Sequence, residues 1–210
     1  MNGLLLSLSL VLGPPLGPLP DQEPTALFDG SSLNGWTLVG GTPGNWLAQD
    51  GRLITRGQGG GWLSTEREYD NFELSLEYKL QPGGNSGVFI RAPRSGDPAY
   101  TGIEIQILDD DDPRYQNLKP YQYCGSVYGV IPAQRGATRG PGQWNQMIIR
   151  ADNRRIQVVL NGQKIVDGNL DEHRDAAAEH PGILRERGYI GLQSHDEPVE
   201  FRNLTIRPLD

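Results

Sequence analysis

Glu104 and Gln106 stand two residues apart in the run TGIEIQILDDDDP, residues 101–113, where they alternate with Ile103, Ile105 and Ile107. If the three isoleucines face a core, the two polar side chains share the opposite face. The same alternation turns Arg91 outward beside Val88 and Ile90, and turns Gln193 and His195 outward beside Ile190 and Leu192. A carboxylate or an imidazole moves protons. A guanidinium holds hydroxyls or a developing oxyanion. Together these are the groups needed to cleave or reorganise a sugar. On one sheet, Arg91, Glu104, Gln106, Gln193 and His195 would line a groove. Periodicity assigns faces but not sheets, so that gathering is an expectation. Taken singly, Glu104 equally suits a solvated strand face, Arg91 a structural ion pair, and His195 the turn it enters before Asp196.

A two-acid glycosidase holds its carboxyls about 5–5.5 Å apart for retention or roughly 6.5–9.5 Å apart for inversion. The second acid available on this strand is Asp109. A regular strand puts positions 104 and 109 on opposite faces, about 17 Å apart. Only a bulge would bring Asp109 round, so this strand alone argues against two-acid cleavage. The acids at 109–112 read as a solvated turn or, alternatively, as a calcium site, since acidic loops suit that ion; their spacing matches no defined loop motif. Asp109 is the metal candidate. Trp62 in QGGGWLST and the tyrosines at 100, 115, 121, 123 and 128 offer rings that stack on sugar faces or pack loops. Trp144 opens a strand and reads as core. His173 and His180 lie in a polar loop and are given no role. Cys124 is the only cysteine, so no intramolecular disulfide forms, and it reads as a small buried residue.

The elements that must position these groups are strands. NFELSLEYKL, residues 71–80, puts Phe72, Leu74, Leu76, Tyr78 and Leu80 on one face, and Glu73, Ser75, Glu77 and Lys79 on the other. Asp50-Gly51 and Asn161-Gly162 each sit between two short apolar runs, which is the signature of a tight hairpin. PGGNSGVFIRAP, WNQMIIRA and RIQVVLNGQKIV add strands, and GYIGLQSH and VEFRNLTIRPL close the chain as two more, joined by a tight polar turn. LDEHRDAAAEH, residues 170–180, is short and polar and reads as a turn or short helix. The segment 109–143 is long and irregular, as functional loops on β scaffolds often are. About a dozen strands with almost no helix predict an all-β jelly-roll sandwich of two packed antiparallel sheets.

Composition narrows the function. With 28 Gly, 16 Pro and 36% hydrophobic residues among 210, the chain suits many short strands and tight turns. A net charge of -7 with scattered cations makes nucleic acid and anionic membrane poor partners. Residues 1–20 read as a signal peptide or disordered leader ahead of a single domain, 21–210. The apolar run Leu4–Leu12 is too short to span a bilayer, no later run qualifies, and the expected location is secreted or periplasmic.

Seven segments in order, FDGSSLNGW, NFELSLEYKL, GGNSGVFIR, GIEIQILDD, GQWNQMIIR, VVLNGQKIV and GYIGLQSHDEPVEFRNLTI, resemble the 3-keto-disaccharide hydrolase domain family, formerly a domain of unknown function. The resemblance runs from about Thr25 to Pro208. It implies a concanavalin-like jelly roll that cleaves glycosides already oxidised at C3. A C3 ketone acidifies the neighbouring C2 proton; a base removes it, the enolate expels the C1 substituent, and water adds. Carried onto this sequence, Glu104 is the base, His195 the acid or a substrate ligand, and Arg91 and Gln106 hold the ketone and hydroxyls. Asn85, Gln193, Trp62 and Tyr123 complete the substrate contacts. A divalent cation bridging the enolate oxygens would be chemically useful, with Asp109 as its candidate ligand, but none is established. The expected ligand is an oligosaccharide or keto-sugar. The competing reading is a glycan-binding module without catalysis.

Overall fold

The computed structural model describes residues 23–57 and 60–209. The expected leader, residues 1–20, lies outside them. Thirteen strands are formed: β1 (Thr25–Ala26), β2 (Trp36–Val39), β3 (Trp46–Gln49), β4 (Arg52–Thr55), β5 (Trp62–Tyr69), β6 (Phe72–Leu80), β7 (Asn85–Ala92), β8 (Ile103–Leu108), β9 (Trp144–Asp152), β10 (Arg155–Leu160), β11 (Gln163–Asn169), β12 (Gly188–Gln193) and β13 (Val199–Pro208). One antiparallel sheet runs β11-β10-β9-β6-β13-β4-β3, with β1 paired to β13 beyond the end of β4. The other runs β2-β5-β12-β7-β8. The two form the expected sandwich.

Alternation does what the sequence asked of it. Every second residue of β6 from Phe72 to Leu80 is buried, and those side chains meet Val88, Ile90, Ile103, Ile105 and Ile107 of the facing sheet in one core. Asp50 (φ 49°) with Gly51 (φ 74°), and Asn161 (φ 50°) with Gly162 (φ 85°), take the doubly left-handed turn that joins β3 to β4 and β10 to β11. The segment 170–178 forms 3-10 turns, as its short polar pattern allowed. A one-turn helix α1 (Pro98–Thr101), capped by the Asp97 carboxylate, was not foreseen. Among the described residues no helix is long and apolar enough to cross a membrane.

Two expectations are corrected here. β12 and β13 follow one another but belong to opposite sheets, so residues 194–198 cross the sandwich rather than close a hairpin. Trp144 is not core: it lies on the outer face of the larger sheet, under Lys79 Nζ (5.0 Å to the ring centre) and the Arg202 guanidinium (3.9 Å).

Candidate active site

The strand registers fix which side chains meet on the outer face of the five-stranded sheet. Thr37 pairs with Ser64, Ser64 with Gly191, Gly191 with Phe89, and Phe89 with Glu104. Residues directly opposite in antiparallel strands share a face, so these five form one row. The next row holds Val39, Trp62 and Gln193 at one side and Gly87 with Gln106 at the other. Asn85 lies on the same face at the end of β7, opposite Leu108. β8 is the last strand of its sheet, but its edge is closed by the loop at 125–131. Gly125 N donates to Gln106 O (2.7 Å), Gln106 N to Ser126 O (3.0 Å), and Tyr128 N to Glu104 O (2.9 Å).

That cover explains a departure from the sequence reading. Glu104 and Gln106 do turn away from the core, yet neither is solvated: they are 3% and 6% exposed. Two glycines make room beneath the large side chains. A Cβ at Gly87 would collide with Glu104 Oε1, and one at Gly191 with the Trp62 indole. The Glu104 carboxyl thus lies across bare β7 backbone, and Trp62 lies over β12 and meets Phe89 edge-on at 5.6 Å.

Glu104 has no cation beside it. Burial, with the negative charge of Asp97 adding to it, pushes its pKa up to about 8. Val39, Trp62, Phe89, Asp97, Gln193 and His195 line an open cleft of about 380 Å³; Glu104 is not in its wall but is the cross-strand partner of Phe89, which is. His195 stands at the mouth with its side chain 42% exposed, and its Nδ1 is 3.2 Å from Asp196 Oδ2 without hydrogen-bond alignment. Gln193 lines the cleft, and its amide oxygen is buried with no hydrogen-bond partner. Gln106 uses its own Oε1 on the Ile107 N–H (3.1 Å).

The structure therefore gathers Glu104, Gln106, Gln193, His195, Trp62 and Asn85 on one face, and leaves three expected members elsewhere. Arg91 is the largest correction. From Gly191 to Tyr189 the pairing advances two residues on β12, while β7 advances three from Phe89 to Ala92. β7 bulges, Arg91 takes φ 50°, and alternation ends there. Its guanidinium donates to the carbonyls of Asp70 (3.0 Å) and Asn153 (2.7 Å) and to Asn71 Oδ1 (3.3 Å), tying two loops of the larger sheet together. Burial lowers its pKa to about 10, so it stays charged there as a structural clamp. Tyr123 packs within its loop, donating to Gln116 O (3.3 Å) beneath the Arg135 guanidinium. The Asp109 carboxylate accepts from Gly83 N (2.8 Å), Asp110 from Cys124 N (2.8 Å), and Asp112 from Arg114. These acids serve the loop's own donors, and among the described residues no group of three or more His, Cys, Asp or Glu is placed to hold a metal ion. The residues present do not fit a cation, and no step is derived through one.

Sequence reasoning missed three neighbours of the site and offered a fourth, Tyr128, only as one of five tyrosines that stack on sugars or pack loops. Arg94, not Arg91, is the guanidinium on this face; it donates to Ser64 Oγ (3.2 Å) and Thr65 O (2.8 Å) and stacks on Tyr189 at 4.2 Å. Asp97 enters through α1, too short to leave a periodic signal. Tyr128 arrives because the bridge between Ile105 and Val127 sets residue 128 opposite Glu104. His180, given no role from sequence, is buried and stacks on Tyr100 at 4.9 Å.

Residues 23–207 match the model of the 3-keto-alpha-glucoside-1,2-lyase-like domain. The chain belongs to that family. It is a carbohydrate-active protein of the hydrolase or lyase class, as the resemblance in its motifs implied. A protein of Bacteroides thetaiotaomicron named 3-keto-disaccharide hydrolase is 28% identical, over 88% of this chain and 78% of its own length. The crystal structure of a candidate glycosyl hydrolase from Parabacteroides distasonis superposes with a TM-score of 0.73 at 33% identity, covering 84% of this chain and all of its own. A carbohydrate-binding module of Bacillus subtilis, CBM66, shares the fold alone: TM-score 0.59 at 14% identity, covering 84% of this chain and 98% of the module.

Proposed function

We propose that this family member cleaves 3-keto-glycosides, with Glu104 as the base that opens the reaction. The observation that carries the reading is the buried Glu104 carboxyl, which has no counter-cation among the described residues and pairs across the strand with Phe89 of the cleft wall. Ordinary glycosidases need two acids flanking an oxocarbenium-like centre. A ketone at C3 removes that need, because it acidifies the C2 proton. Glu104 takes that proton, and the C2–H pair becomes the C2=C3 bond of an enolate. The enolate collapses, C1=C2 forms, and the C1–O bond breaks, with the departing oxygen protonated by His195. Water then adds at C1 and a proton returns to C2, so the net change is hydrolysis; release before hydration makes the same chain a lyase.

A carboxylate whose pKa is raised toward the working pH is a stronger base for carbon than an ordinary one. The sugar would lie in the cleft that Trp62, Gln193 and His195 help to line, with Trp62 itself 4% exposed. We also propose, on the apolar run at residues 4–12, that this chemistry takes place outside the cytoplasm, in the periplasm or medium. The experiment is product analysis with 3-keto-trehalose, 3-keto-lactose and their unoxidised parents. Cleavage of the keto forms only, lost in Glu104→Gln, is the expected result. Sugar binding without cleavage of any of the four would return the chain to the glycan-binding reading.

A further inference from the structure

Arg91 lies outside the site and Arg94 donates to Ser64 Oγ and Thr65 O, so the enolate oxygen needs another donor, and a different part of the fold supplies one. We infer that the phenols of Tyr100 and Tyr128 form the oxyanion site, donating to the substrate's C3 oxygen while Glu104 takes the C2 proton. This rests on the 3-keto-glycoside reading and names the groups that the reading lacks.

The placement is set by backbone. The loop at 125–131 runs antiparallel to β8, and Tyr128 N donates to Glu104 O at 2.9 Å, so Tyr128 is the cross-strand neighbour of Glu104 on the side opposite Phe89. Tyr100 comes from α1, three residues after Asp97, and its ring meets that of Tyr128 at right angles, 6.4 Å between centres. Tyr128 and, through its ring contact, Tyr100 therefore stand beside Glu104 on the β8 edge, with Tyr100 40% exposed to solvent. The pair is aimed by its neighbours. Gln122 Nε2 donates to the Tyr128 hydroxyl oxygen (3.0 Å), leaving that phenol's own proton free to donate onward. His180 stacks on Tyr100 at 4.9 Å and meets Tyr128 at 6.4 Å, on a bare Gly129 whose Cβ would occupy the imidazole's place. The buried His180 Nδ1 has no partner. The Tyr128 phenol, to which Tyr100 is hydrogen-bonded, raises the Tyr100 pKa above the ordinary phenol value, and burial and the charges of Asp97 and Glu104 add to this.

The chemistry balances without a further reactant. As the C2–H bond breaks, the carbonyl pair moves onto O3, and a phenol hydrogen bond to that oxygen strengthens as its charge grows. Phenols do this for enolates by donating to the oxygen on which charge develops. When the carbonyl reforms and C1–O breaks, the bond relaxes and no proton has been lost.

The test is Tyr100→Phe, Tyr128→Phe and the double variant, beside wild type and Glu104→Gln, assayed on a 3-keto-glycoside and for C2–H exchange in deuterated solvent. The expected result is a loss of about 10²-fold in kcat for the stronger single variant, in step with loss of exchange. KM should change little, and the double variant should lose no more than the sum of the singles, because the phenols act as a unit. A purely structural role would lower the folded fraction and leave kcat per folded molecule and the exchange ratio unchanged. Wild-type turnover and exchange in both Phe variants, with Glu104→Gln inactive, would overturn this inference and leave the base in place. No cleavage by wild type would overturn both.

Discussion

The outer faces of the two sheets carry similar acids in opposite circumstances. On the larger sheet, Glu200 bonds Arg52 and Lys79, each at 2.8 Å, and Glu77 bonds Arg202 at 2.7 Å and Asn203 at 2.8 Å. Burial would raise these carboxyls, but the hydrogen bonds outweigh it and hold both below the usual range. At Asp167 the hydrogen bonds from Arg155, Lys164 and Gln157 do the same against burial. On the smaller sheet Glu104 is buried more deeply and given nothing. One face spends its acids on cross-strand pairs; the other withholds every partner from one acid. Withholding costs stability, and a fold keeps such a cost where chemistry repays it.

The largest effect should come from supplying what was withheld. Glu104→Gln removes the proton acceptor and should lower kcat by about 10²–10⁴-fold. The same change should raise thermal stability at pH 8–9. The folded-state pKa of Glu104 is raised, so its contribution to stability is complete below about pH 4.5 and is lost as pH rises through about 8. Calorimetry of wild type and variant at pH 5 and pH 9 checks the sign: the variant should gain on wild type at pH 9. The paired acids run the other way, giving stability above their unfolded pKa that is lost as pH falls.

Gly87→Ala tests the same acid by geometry. The added methyl meets Glu104 Oε1 and must push the carboxyl aside. Displacement of a reacting group by about 1 Å costs on the order of 10²-fold. Steady-state kinetics should show that loss in kcat with the fold retained.

A smaller effect is expected at Asp97. Asn in its place keeps an oxygen to cap α1 at Ala99 N but removes the charge that Glu104 feels. The rising limb of the kcat/KM pH profile, expected near pH 8 in wild type, should move to lower pH by a fraction of a unit. An unmoved limb would take Asp97 out of the account.

The smallest effect belongs to the larger sheet. Glu77→Gln breaks a solvent-screened pair worth about 0–1 kcal/mol. Turnover should be unchanged and the melting temperature should fall by no more than a few degrees.

Much of this comparison was legible in the sequence. Strict alternation from Phe72 to Leu80 and from Ile103 to Ile107 gave core and outer faces correctly, and the turn dipeptides gave two hairpins. Alternation reports a face, though, and not depth or partners. It could not tell that Glu77 would meet Arg202 while Glu104 would meet no cation, because partners come from strands distant in sequence. It failed at Arg91 because one extra residue in β7 breaks the period there. Trp144 looked like core because an aromatic at a strand start usually is; two cations cover it instead. Tyr128 was legible only as one ring among five and His180 not at all, because aperiodic loops bring them to the site.

The most direct test of the central claim is proton transfer at C2. A 3-keto-glycoside deuterated at C2, with wild type near pH 8, should show a primary isotope effect on kcat or wash-out of the label into water, and Glu104→Gln should show neither wash-out nor cleavage. Cleavage that proceeds with the C2 label fully retained and no isotope effect would contradict the account, because it would break the glycosidic bond without an enolate and leave the unpaired carboxyl of Glu104 without its task.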